Sequence, residues 1–282
     1  MVSDKRSRRV NKFFVTVSQT ENPLDNWYGY WWDAVAHDGT PNDTVYRPGD
    51  TSDYPSLGIG SFGIYQTNGV SKFELIGDPG IDATNYDPNC PPYYRHWHVI
   101  FFPAGPLASG LPSVDGWQYW DLTSPDGTPT GRIQPVVHHG PSQHAYFVSR
   151  YRSDQLLICG LSDPLEPTQR IGRVAAQLAS PFQGPRDAPQ KDSSRLISMT
   201  NLGTDTLKAV YRNTLLYLTT NDGRDWFGDG QVLTSVRLVR LNMGDYPNSI
   251  PTIPETGFIN RVLMAKCSNA LKAQDSEEVS DS

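Results

Sequence analysis

Three segments of this chain are versions of one another, and that internal repetition constrains the fold more than any single motif does. They are Tyr54-Pro-Ser-Leu-Gly58 with Ile64-Tyr-Gln-Thr-Asn68, Gln134-Pro-Val-Val137 with Ala145-Tyr-Phe-Val-Ser149, and Leu207-Lys-Ala-Val-Tyr211 with Leu216-Tyr-Leu-Thr-Thr220. Each joins a short apolar strand, across a turn of variable length, to a second strand carrying a tyrosine near its start. These tyrosines are Tyr65, Tyr146 and Tyr217. A shorter echo links Glu21-Asn-Pro-Leu-Asp25 to Ser162-Asp-Pro-Leu-Glu166. A four-stranded antiparallel unit recurring at this spacing is what radial repetition of β-propeller blades produces, and the expected class is all-β.

Alternation with period two predicts strands over Lys12–Ser18, Ser61–Thr67, His98–Phe102, Ala145–Arg150, Gln155–Leu161, Thr214–Thr220 and Val232–Leu241. Pro, Gly and Asp clusters over Pro41–Asp53, Gly77–Pro92, Ser124–Gly131 and Pro181–Pro189 read as surface loops. Helical spacing of Ile171, Val174 and Leu178 makes Thr168–Leu178 the best helix candidate. The Trp-rich runs Trp27–Trp32 and Trp117–Trp120 suit outer strands packed between blades. Ser235–Leu241 reads as the opening strand of a fourth unit, so the expectation is an incomplete ring of about three and a half blades, where propellers typically have 4 to 8.

Composition agrees: 14 Tyr, 10 Phe and 7 Trp favour strands, and 24 Gly with 23 Pro supply the turns between them. The net charge of -6 gives no basic field for a nucleic-acid backbone, so nucleic acid is excluded as a partner. The one dense basic run, Lys5, Arg6, Arg8 and Arg9, assigns residues 1–11 to a flexible arm. Residues 12–262 form the β domain, and the polar 263–282 reads as a disordered tail. No apolar run is long enough for a membrane span, and Phe13, Phe14 and Val15 are no signal-peptide core. Cys90, Cys159 and Cys267 stand far apart, without zinc-ligand spacing; they leave room for one disulfide.

Three groups of residues could carry chemistry. Asp222, Asp225 and Asp229 lie in a Gly-rich stretch, Asn221–Gly230, which reads either as a structural turn or as an oxygen-rich calcium loop. Calcium is the only cofactor the sequence brings forward. His96 and His98 share one side of a strand, and His138 and His139 stand at a strand end near the axis of a propeller, where ligand sites collect. Tyr93, Tyr94 and Trp97 follow a Pro-rich approach and offer flat rings with polar tips, suited to stacking on sugars or binding peptides. No Gly-x-Ser-x-Gly, P-loop or dinucleotide fingerprint occurs.

Val15-Thr-Val-Ser-Gln-Thr20, Asp53-Tyr-Pro-Ser-Leu-Gly58, Tyr146-Phe-Val-Ser-Arg150 and Asp225-Trp-Phe-Gly-Asp229 together resemble bacterial sialidase-like propellers with Asp-box repeats, over residues 12 to 260. The resemblance implies a propeller fold and an extracellular or cell-surface setting, and it implies no particular activity. Sialidases clamp a carboxylate with three arginines; here Arg95, Arg132, Arg150 and Arg212 stand in no such motif. The nearest thing to an Asp-box, Thr220–Trp226, is one residue short. The function expected is a non-enzymatic binding or interaction propeller facing a glycan or a protein, present here as a fragment. The alternatives are a divergent sialidase-like glycoside hydrolase and a truncated, inactive gene product.

Overall fold

The computed structural model describes residues 12–33, 50–72, 93–111, 118–127, 130–162, 164–165, 171–189, 196–197, 206–225, 228–230, 232–244, 246–247 and 252–260. Among them the chain is all-β, with one short helix, α1 (Ala104–Ala108). Three successive antiparallel meanders of four strands dominate. The first is β3 (Asp50–Ile59), β4 (Gly63–Lys72), β5 (Tyr93–Pro103) and β6 (Gln118–Leu122). The second is β7 (Ile133–Pro135), β9 (Ala145–Arg152), β10 (Gln155–Leu161) and β11 (Ile171–Gln177), and the third is β14 (Thr206–Arg212), β15 (Leu215–Asp225), β16 (Val232–Asn242) and β17 (Thr252–Asn260). A ribbon of β1 (Lys12–Ser18) and β2 (Trp27–Asp33) precedes them, and the two-residue strands β12 (Ala188–Pro189) and β13 (Leu196–Ile197) pair with each other. Among the described residues no sheet closes on itself.

The repeated segments are the first two strands of the three meanders, and Tyr65, Tyr146 and Tyr217 all lie on second strands. The connection between them varies: residues 60–62, then 136–144, then the two-residue turn 213–214. The middle unit's long connection contains β8 (Val137–His138), which leaves its own meander and pairs parallel with β14.

Strand alternation decides how these units stack, because successive side chains point to opposite faces. In the second meander Ala145, Phe147, Leu157, Cys159 and Leu161 pack on one side against Tyr65, Trp97, Val99, Phe101 and Leu122 of the first. Tyr146, Val148, Leu156 and Ile158 pack on the other against Ala209, Tyr211, Leu216, Leu218, Val239 and Leu241 of the third. The first meander uses its opposite parity, Ile100 and Phe102, to hold Phe13, Val15 and Tyr30 of the ribbon. The result is four layers face to face, with the middle sheet buried on both sides.

Several sequence expectations change. Thr168–Leu178 is not a helix: Ile171–Gln177 is β11, held in register against β10 from Leu161↔Ile171 to Gln155↔Gln177. The spacing of Ile171, Val174 and Leu178 fits an alternating strand as well, with Val174 and Ala176 inward on one core and Ile171 on the other. Ser235–Leu241 opens no fourth unit; it belongs to β16, the third strand of the third meander. Asp50–Asp53 belongs to β3 rather than to a loop, and Asn221–Asp225 continues β15. Residues 1–11, 77–92 and 263–282 lie outside the described residues. Cys159 is a free, buried thiol; Cys90 and Cys267 lie outside the described residues.

One buried charge cluster fastens the second meander to the third. Residues 178–187, leaving β11, cross the end of β15 and β16, where Asp222 and Arg237 are both fully buried. The Asp222 carboxylate accepts from the Gln183 N–H at 2.7 Å, from Arg224 at 3.1 Å and from Arg237 at 3.5 Å. Arg237 also donates to the Ser180 carbonyl at 3.0 Å, and its guanidinium lies 5.1 Å from the Phe182 ring centre. Burial pushes the Arg237 guanidinium below its ordinary range and the charge of Asp222 opposes that shift. Removing the carboxylate takes the Asp222 ion pair from the fully buried Arg237 and the acceptor from the Gln183 N–H, so Asp222→Ala should cost about 3–5 kcal/mol of stability, read as a fall in the urea midpoint. An unchanged midpoint would refute the role of the cluster.

Candidate functional site

The departure of β8 from its own meander builds a site at the seam of the second and third units. Pairing with β14 sets His138 beside Tyr211, and the His139 N–H donates to the Tyr211 carbonyl at 2.8 Å. The His138 ring then lies parallel to Tyr146, 5.6 Å away at 8°, and 5.1 Å from Tyr211. Tyr146 meets Tyr211 at 5.2 Å and Tyr246 edge-on at 5.3 Å, and His144 meets Tyr246 edge-on at 5.4 Å. Each of these ring separations falls in the range of favourable aromatic pairs.

Tyr246 reaches this cluster because the second meander leaves it a notch. Gly160 of β10 and Gly172 of β11 are cross-strand partners, and the Tyr246 ring covers them, donating its hydroxyl to the Gly172 carbonyl at 2.6 Å. A methyl group at Gly160 would run into the Tyr246 ring. The glycine pair therefore sets the position of one wall of the cleft.

Between these rings lies a cleft of about 400 Å³, lined by Pro141, Ser142, Gln143, His144, Tyr146, Tyr211, Thr214, Met243, Gly244 and Tyr246. Thr214 belongs to the tight β14–β15 turn, where Asn213 has φ 51° and Thr214 φ 62°. Both central residues of such a hairpin turn are left-handed, and a β-branched side chain there is strained by roughly 1–3 kcal/mol. The Thr214 hydroxyl donates to the Asn213 carbonyl at 2.6 Å, and its own carbonyl accepts the Met243 N–H at 2.8 Å. Ser142 braces the other rim, its Oγ donating to the His144 carbonyl at 2.7 Å.

Burial fixes the protonation of the cluster. The His138 imidazole is lowered to about 4 by burial, and its Nε2 accepts the Tyr146 N–H at 3.3 Å, which places the proton of the neutral ring on Nδ1. Burial also lowers His144. Burial first, then the neighbouring Tyr211, push the Tyr146 hydroxyl up to about 12, and burial raises Tyr246. At neutral pH the His144 imidazole in the cleft and the His138 imidazole behind it are thus uncharged, and Tyr146 and Tyr246 keep their protons.

Of the residues singled out in the sequence, His138 stands behind this cleft and His139 is exposed outside its lining. Trp97 is a core residue: it is 6% exposed, packs in the seam between the first two meanders, and lies over Gly69. It is not a ligand platform, because position 97 has the inward parity of Val99 and Phe101. Tyr93, Tyr94, His96 and His98 lie on β5, and their side chains are outside the described residues. Asp222 lies apart from Asp225 and Asp229, which share one turn. Asp222 is buried in the ion cluster, whereas exposed Asp225 accepts the N–H groups of Gly228 and Gly230, both at 2.8 Å, and closes a turn. Odd spacing on a strand sends Asp222 and Asp225 to opposite faces. Sequence reasoning missed Tyr211, Tyr246 and Thr214; the Tyr211 of the third repeat was the one available signal.

A histidine lowered by burial binds fewer protons folded than unfolded, so its stability contribution is complete above pH 6.5 and is lost as pH falls toward 4. For His138 the loss should reach about 3 kcal/mol, with His144 adding in the same direction. Urea titrations at pH 7 and pH 4.5 should show it, and His138→Gln should flatten the slope; an equal slope in both proteins would refute the assignment. No family model matches this chain, and no curated protein matches it.

Proposed function

We propose that this chain is a non-enzymatic binding module of propeller-like architecture, and that its ligand is a carbohydrate held in the cleft between the second and third meanders. The observation that carries the reading is the convergence there of tyrosine faces with hydroxyl and amide groups. Sugars present apolar C–H faces and a rim of hydroxyls; Tyr146, Tyr211 and Tyr246 supply rings, while Ser142, Gln143 and Thr214 supply hydrogen-bonding groups. Burial keeps the Tyr146 and Tyr246 phenols protonated and the His138 imidazole neutral, states suited to holding a neutral ligand rather than to moving protons at pH 7. The propeller-like reading is supported by the three face-stacked meanders and by the approach of their first strands. Gly58 of β3 lies against Pro135 and Val136, and Val137–His138 pairs with β14.

The experiment is a glycan array followed by titration. Gln143 is exposed on the rim, so Gln143→Trp should fill the cleft and abolish binding without disturbing the core. Thr214→Gly should raise stability by about 1 kcal/mol by relieving the left-handed strain, yet weaken binding about tenfold through the lost hydroxyl. Binding to no glycan, or binding indifferent to Gln143→Trp, would sink the carbohydrate reading.

A further inference from the structure

The β1–β2 ribbon has two unlike faces. Phe13, Val15 and Tyr30 are buried on the first meander, while Phe14 is 63%, Trp31 58% and Trp27 49% exposed on the other side. This departs from the expected packing role of the Trp27–Trp32 run, and the register explains why. Phe14 pairs with Trp31, Thr16 with Gly29 and Ser18 with Trp27, so every second residue of the run points outward. Between Phe14 and Trp31 this outward face carries no charged residue, and among the described residues β1 pairs with no strand other than β2. Natural sheets blunt such faces and edges with charge or proline, and neither interrupts this one.

Beside the ribbon runs a groove of about 370 Å³, floored and walled by Phe13–Thr16 on one side and Pro55–Leu57 with Gln66 on the other. The neighbouring outward residues of β3, Leu57 and Ile59, are 51% and 52% exposed. Protruding aromatics and a groove able to take one therefore occur on a single surface, as a two-fold, self-complementary contact requires. The area fits as well. Phe14, Trp27, Trp31, Leu57 and Ile59 expose together roughly 500 Å² of apolar surface, from side chains of about 150–250 Å² each. A standard interface takes about 800 Å² from each partner, of which about 57–65% is apolar, so this patch supplies the apolar part of one side.

We propose that this face is the contact between two copies of the chain, related by a two-fold axis, with the ribbon of each copy set against the groove of the other. Sedimentation equilibrium on the full chain tests it. The expected result is a monomer–dimer equilibrium with a dissociation constant on the order of micromolar or tighter, with no larger species. Thr16→Lys and Trp31→Glu each place a charge on the exposed face and should weaken association about 30-fold or more, with the circular dichroism spectrum and thermal midpoint kept. Leu238→Lys, on the outward face of the third meander, should leave association unchanged. A monomer throughout, an open series of oligomers, or a dimer that Leu238→Lys dissociates while Thr16→Lys does not, would each overturn the proposal. Adding the glycans of the array separates the alternatives: dissociation of the dimer by a polysaccharide that binds the Thr16→Lys protein more weakly would assign the face to that ligand instead.

Discussion

Two-sided burial of the middle meander is the constraint on which the structure rests. A sheet covered on both faces must be apolar at successive positions, and β9 and β10 meet that demand with runs such as Ala145-Tyr-Phe-Val-Ser149 and Leu156-Leu-Ile-Cys-Gly160. Odd positions meet the first meander and even positions the third. A slip of one residue in the pairing of β9 with β10 would exchange the two sets, so both seams hold the register of the same strands.

Buried polar groups tie both seams together. Thr67, fully buried, donates to the Ile133 carbonyl at 2.8 Å and so ties the first meander to the second. Asp222 does the equivalent at the second seam, using a carboxylate that two arginines and a backbone N–H share. The aromatic cleft opens along the same seam. There the rings of Tyr146 and Tyr246, from neighbouring layers, meet at right angles, and the space beside them stays open.

The sequence made the class and the repeat legible because both depend on local pattern. Lys12–Ser18 and Gln155–Leu161 coincide with β1 and β10, and the repeated tyrosines occupy equivalent strands. What stayed illegible depends on partners distant in sequence. Ile171, Val174 and Leu178 fit two periodicities, and only pairing with β10 selects the strand. The aspartates around residue 225 looked like one loop because nothing local reveals that Asp222 faces Arg237 across a core. The cleft was half legible: Tyr146 belonged to a repeat and His138 stood at a strand end, whereas Tyr246 reaches them by way of a glycine notch some 80 residues earlier in the chain.

The parallel bridge of Val137 and His138 to β14 makes the cleft a property of a junction. His138, Tyr146 and the glycine notch come from one repeat, and Tyr211, Thr214 and Met243 from the next. A single repeat, however well packed, carries half of the proposed binding surface. Duplication of a stable unit would therefore have created the pocket in the act of joining, and divergence of the connecting segments, long in one repeat and two residues in another, could then shape specificity while the strands stayed the same. With the proposed ligand in the cleft, recognition and cohesion between repeats would share one free-energy surface, and the occupant would also hold the two layers together.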